Sequence, residues 1–147
     1  MKRALLALTL VGAATLAEAA VERCYYLRDR HQSVAARLVL EHGRVAGKLA
    51  FLPHEKDGRR GRIKPAPLAQ GGRAAVRYDY LIEGQRQRRD LIVRVRPDHF
   101  AYLDGEWREV PGSVYHERLK NPARARWSAP VPAVSCRLPA LRRALEY

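Results

Sequence analysis

The side chains with the widest chemical repertoire in this 147-residue chain are five histidines, His31, His42, His54, His99 and His116, and two cysteines, Cys24 and Cys136. No two histidines stand four apart or form H-E-x-x-H, the spacings that turn two imidazoles toward one zinc ion. His54 has carboxylates beside it in Glu55 and Asp57, but Lys56, Arg59 and Arg60 surround it with charge that repels a cation. The four serines, Ser33, Ser113, Ser128 and Ser135, lie outside any G-x-S-x-G context. No glycine-rich phosphate loop precedes a helix. The residues therefore offer neither a metal centre, nor a cofactor site, nor an activated nucleophile.

What they do offer is anion binding. Lys56, Arg59, Arg60, Arg62 and Lys64 lie in and just after the polar stretch 53–61, and Arg86, Arg88 and Arg89 lie in or beside the connection 83–88. Guanidinium forks match phosphate and carboxylate geometry. If both connections open at one end of a barrel, these groups form a single cationic rim.

The whole chain supports that chemistry. Its formal charge is +13, and without Lys2, Arg3 and Glu18 it keeps 26 basic and 14 acidic side chains, about +12. Such a surplus attracts polyanions such as nucleic acid, anionic lipid or an acidic protein. Arginine outnumbers lysine more than fourfold, a skew that GC-rich codon usage alone produces. Nucleic acid would be held only non-specifically, because Tyr78 and Tyr80 fall on the apolar phase and leave no exposed aromatic platform for bases.

The N-terminus sets the compartment. Lys2 and Arg3 precede an apolar run from Ala4 to Leu16, followed by Ala17-Glu18-Ala19, the layout of a cleavable secretory signal over 1–19. The run is shorter than the roughly 20 residues a membrane span needs. A periplasmic or secreted product without a transmembrane segment is expected, and there Cys24 and Cys136 should pair. Such a loop stabilises by up to roughly 4–5 kcal/mol in the chain-entropy model.

The elements that position these groups follow from a two-residue period. Val76, Tyr78, Tyr80 and Ile82 alternate with Arg77, Asp79, Leu81 and Glu83, and Leu91, Val93 and Val95 with Ile92, Arg94 and Arg96. Residues 34–41 and 45–52 alternate likewise about His42-Gly43, which predicts a hairpin setting Glu41 opposite Arg44, Leu40 opposite Val45 and Leu38 opposite Gly47. Tyr25-Tyr26-Leu27 makes a first strand, and residues 62–64 a short one before Pro65 and Pro67. Asp104-Gly105 predicts a second hairpin that sets Tyr102 across from Trp107. One further strand is expected around 114–117. Pro122, Pro130 and Pro132 argue against a regular central strand between 123 and 135, and residues 138–147 form a basic tail with one or two helical turns or a frayed end.

Short strands joined by tight turns predict an all-β chain. A single β-domain over 20–137 is expected, an antiparallel meander closing into a small up-and-down β-barrel or strongly curved sheet with one disulfide. Ala36 and Gly47, facing Leu38, Tyr78 and Tyr80, would let a narrow barrel pack solid.

Several landmarks recur in a known order: Cys24-Tyr25, Glu55-Lys56-Asp57 followed by Gly61, Glu83-Gly84 ahead of Arg89-Asp90, Lys120-Asn121-Pro122, and the closing Cys136. In these the chain resembles a family of small exported bacterial proteins, many of them lipoproteins, with no assigned activity. The resemblance implies a β-barrel-like domain of the cell envelope. This sequence lacks the lipidation cysteine of those members. The functional expectation is a monomeric, non-enzymatic binding module whose basic loops engage an anionic envelope component or an acidic protein. The alternatives are an inhibitor or immunity protein that blocks an acidic hydrolase or toxin, and an uncharacterised hydrolase.

Overall fold

The computed structural model describes residues 18–146, so the expected signal segment lies outside the described residues up to position 17. The alternating stretches become strands β1 (Val21–Arg28), β2 (Gln32–Glu41), β3 (Arg44–Pro53), β4 (Arg59–Pro67), β5 (Arg73–Ile82), β6 (Gln85–Val95) and β7 (His99–Asp104). Four short strands follow: β8 (Trp107–Glu109), β9 (Tyr115–Leu119), β10 (Arg126–Trp127) and β11 (Val131–Val134). The chain then enters one helix, α1 (Pro139–Leu145).

The first seven strands form an antiparallel meander, and β11 lies between β7 and β1, closing an eight-strand ring. The ring is uneven. β2 and β3 pair over ten residues, whereas β11 pairs with each neighbour over only two. β9 runs parallel to the start of β6 and carries β8 on its far edge, while β10 borders the end of β7.

The ring is filled by the apolar phase of each strand. Tyr25, Leu38, Leu49, Tyr78, Leu91 and Phe100 are fully buried, each stabilising by about 1.5–3 kcal/mol through apolar area removed from water. Buried phenols need partners, and the Tyr78 hydroxyl donates to the Leu49 carbonyl at 2.8 Å, the Tyr25 hydroxyl to that of Arg96 at 2.6 Å. The His42-Gly43 hairpin has the expected register, with Glu41 opposite Arg44 and Leu38 opposite Gly47. Gly47 sits at a bulge in the β3–β4 ladder, where a Cβ would lie 2.1 Å from the Arg37 carbonyl oxygen. No larger residue fits there.

A smaller apolar layer lies outside the ring. Leu141, Ala144 and Leu145 of α1 bury Ala35 and Ala50 on the outer face of β2 and β3. Seven residues cannot hold a helix in water by themselves. The Cys24–Cys136 disulfide, with Cα atoms 5.2 Å apart, ties the segment leading into α1 to β1.

Two local expectations are corrected, and the choice left open for the tail is decided. Asp104-Gly105 does not make a hairpin: Tyr102 pairs with Val93 of β6, and Trp107 with Leu119 of β9. The Asp104 carboxylate accepts the Gly105 backbone N–H at 2.9 Å and the Trp107 indole N–H at 3.2 Å, so it turns the chain away from β7. β10 occupies the vacated edge. Residues 131–134 do form a strand despite Pro132, a strand short enough for one missing donor to be tolerated. The tail is a docked helix through residue 145, because its spacing places Leu141, Ala144 and Leu145 on one face.

Candidate functional site

Strand alternation decides where each basic residue points. On β4, Gly61 and Ile63 face the core, so Arg60, Arg62 and Lys64 stand on the outer wall; on β6, Leu91 and Val93 face inward, so Arg86 and Arg88 stand outside. Register aligns them across β5. Arg60, Leu81 and Arg86 form one cross-strand row, and Arg62, Asp79 and Arg88 the next. The second row continues through Lys48 to Arg37 on β3 and β2.

Among the described residues, Asp79 is the one carboxylate lining this part of the wall. It accepts from Arg88 Nε at 2.7 Å and lies 3.4 Å from Lys64 Nζ. Burial pushes its carboxyl up, but the Arg88 hydrogen bond and charge, with Lys64 behind them, prevail and hold it below the usual carboxylate range. Arg60 Nε donates to the Ala144 carbonyl at 2.9 Å, at the C-terminal end of α1. Arg62 and Arg86 make no ion pair with a described residue.

These side chains border an open groove of about 860 Å³. Its floor has two apolar parts, Val39 with Ala46 and Leu81 with Val114 from the connection before β9, on either side of the row that carries Arg62 and Asp79. Sequence reasoning missed this floor. The signal was present in Leu81 and Val39, apolar residues in the polar phase of their strands.

Arg59 and Arg89 take the opposite face. At the mouth of the ring, the Arg59 guanidinium lies 5.7 Å from the centre of the Tyr80 ring, and Arg89 lies 4.1 Å from that of Trp107. Arg89 Nε donates to Glu117 Oε2 at 3.0 Å, with a second Arg89–Glu117 contact through Nη2. Glu117 also accepts the Tyr115 hydroxyl at 2.8 Å. Burial raises the Glu117 carboxyl, but the hydrogen bonds from Arg89 and Tyr115 and the charges of Arg89 and Arg59 outweigh it and lower it. Burial raises the Tyr80 phenol despite both arginines. Arg89, Glu117 and Tyr115 are paired with one another and close the core, while the buried Arg59 Nε has no hydrogen-bond partner among the described residues.

The two connections of the expected rim do open at one end. The Asp57 carboxyl on one connection lies beside Glu83 on the other and raises the Glu83 carboxyl. Yet of the basic residues only Lys56 is on these connections. Arg60, Arg62, Arg86 and Arg88 are brought together on the outer wall, and Arg59 and Arg89 are separated from them. Each of three histidines has a carboxylate as its neighbour: His42 with Glu41, His99 with Asp98, and His116, whose Nε2 lies 2.9 Å from Asp90 Oδ1 without hydrogen-bond alignment. Among the described residues, Glu22, Cys24 and Cys136 are the three metal-capable groups found together, and both sulfurs are in the disulfide.

No helix among the described residues is long and apolar enough to cross a membrane. Comparison with protein-family models, with curated proteins and with solved structures finds no match to the chain.

Proposed function

We propose that the protein is a non-enzymatic binding module of the periplasm or extracellular space, and that the outer wall of β4 to β6 engages an anionic component of the cell envelope. The observation that carries this reading is the pair Arg62 and Arg86, which flank an open groove without acidic partners among the described residues while Asp79 is already shared by Lys64 and Arg88. Arginine forks left free in this way suit phosphate or carboxylate oxygens. The disulfide fits an oxidising compartment.

The test is retention of the oxidised protein on immobilised polyphosphate, with Arg62→Glu/Arg86→Glu as the variant. Charge-assisted hydrogen bonds contribute roughly 1.5–3 kcal/mol each, so the double reversal should weaken binding at least about a hundredfold. Binding of the unaltered protein should also fall steeply with salt. Undiminished retention of the variant would remove this wall as the site.

A further inference from the structure

Resting on the reading just given, we infer that the groove takes an anionic amphiphile, a single-chain lipid phosphate whose head meets Arg62 and Arg86 and whose alkyl chain lies on Val39, Leu81 and Val114. The floor carries the inference. Five large apolar side chains are exposed among the described residues, Val21, Val39, Leu81, Val114 and Tyr115, and three of them line this one groove. Each of the three is more than a third exposed. They come from three separate parts of the chain, β2, β5 and the connection before β9, so no local run of apolar sequence explains their meeting.

A hydrophilic polyanion has no use for such a floor. Its phosphates would be satisfied by the cations alone, and water over Val39 and Leu81 would remain where it is unfavourable. An amphiphile satisfies both halves of the lining. The groove's volume lies within the range of small-molecule sites, roughly 300–1,000 Å³. The charges lie beside the apolar residues: Arg60 and Arg86 flank Leu81 in its row, and Arg62 and Arg88 stand in the next row with Asp79 between them, so a head held by Arg62 and Arg86 leaves a chain within reach of Leu81 and Val114. Asp79, held by Arg88 and Lys64, keeps those two cations partly occupied and leaves Arg62 and Arg86 as the ones to take the head.

Calorimetry of the oxidised protein with alkyl phosphates of eight, ten and twelve carbons, each below its micelle concentration, tests the inference. Inorganic phosphate and polyphosphate serve as headgroup controls. Transfer of a methylene out of water predicts up to about fourfold tighter binding per added carbon. Val39→Thr/Leu81→Thr puts a β-branched residue, well suited to a strand, at both positions. It should abolish the chain-length dependence, leave polyphosphate binding within twofold, and leave the circular dichroism spectrum unchanged. Arg62→Glu/Arg86→Glu should abolish binding of every alkyl phosphate. If the unaltered protein binds inorganic phosphate or polyphosphate but shows no chain-length dependence, the amphiphile is wrong and the anion-binding wall stands. If alkyl phosphates bind with chain-length dependence but Val39→Thr/Leu81→Thr does not change it, the chain lies elsewhere and the inference fails. If neither alkyl phosphate nor polyphosphate binds, both readings fall.

Discussion

Arg88 and Arg89 are neighbours in sequence, of one residue type, and have opposite fates. Arg89 turns into the mouth of the ring, where it stacks on Trp107 and pairs with Glu117, and both partners of that ion pair are largely shielded from water. Arg88 turns outward to Asp79 on a wall that also carries Arg60, Arg62 and Arg86. Arg59 and Arg60 divide in the same way on β4. The lesson is that a basic run in a strand is two half-runs. One half belongs to the packing of the barrel and the other to whatever meets its surface.

The sharpest way to break this contrast is to remove a partner on the inner side. Glu117→Ala leaves Arg89 without its carboxylate in a desolvated position, and unfolding in urea should show a loss of about 2–4 kcal/mol with polyphosphate binding of the remaining folded protein unchanged. Acid should act on the same bond. The folded Glu117 carboxyl is lowered, so its contribution is present above the unfolded value of roughly 4.3 and is lost as pH falls through the lower, folded value. Urea titrations from pH 6 to pH 2 should therefore show stability falling on the acid side, with a shallower fall in Glu117→Gln.

A smaller effect is expected on the outer side. Asp79→Asn removes one carboxylate from a pair that solvent already screens, so it should cost about 0.5–1 kcal/mol. It should also free Arg88 and Lys64 and tighten polyphosphate binding. A stability loss as large as that of Glu117→Ala would erase the distinction between the faces. The smallest effect belongs to neither face. His42 holds a positive φ of 51° before Gly43 at 67°, a turn that asparagine enters more readily. His42→Asn should stabilise by about 0.5 kcal/mol and leave binding untouched.

The barrel was largely legible because its strands are half-buried. Alternation around His42-Gly43 specified ten residue pairs, since any slip by one would have put Glu41 against the core. The disulfide followed from two cysteines near opposite ends of the described chain and the expectation of an oxidising compartment. Trp107 was misread because Asp-Gly signals a hairpin only when nothing else engages its side chain, and here Asp104 takes the indole N–H. The docking of α1 was hidden because Ala35 and Ala50, the small residues that receive it, look like any others in the outward phase of a strand. The basic cluster was visible as a composition but not as a place. Loops were expected to hold it, whereas β4 begins at Arg59 and β6 at Gln85, so the pleat rather than the loop assigned each arginine its side.

The slender closure of the ring has a temporal side. β1 finds one neighbour in β2 as soon as the hairpin forms, but its other neighbour is β11, and the cysteines that lock this seam are 112 residues apart. A ribosome adding about 5–20 residues each second leaves that interval open for several seconds or longer. Throughout it β1 is bare on one edge, β7 joins it in that state once residue 104 has been added, and the chain is a ribbon rather than a ring. Whatever accompanies the nascent protein must shield those edges until Val131–Val134 arrives, or the next chain along will supply the missing strand instead.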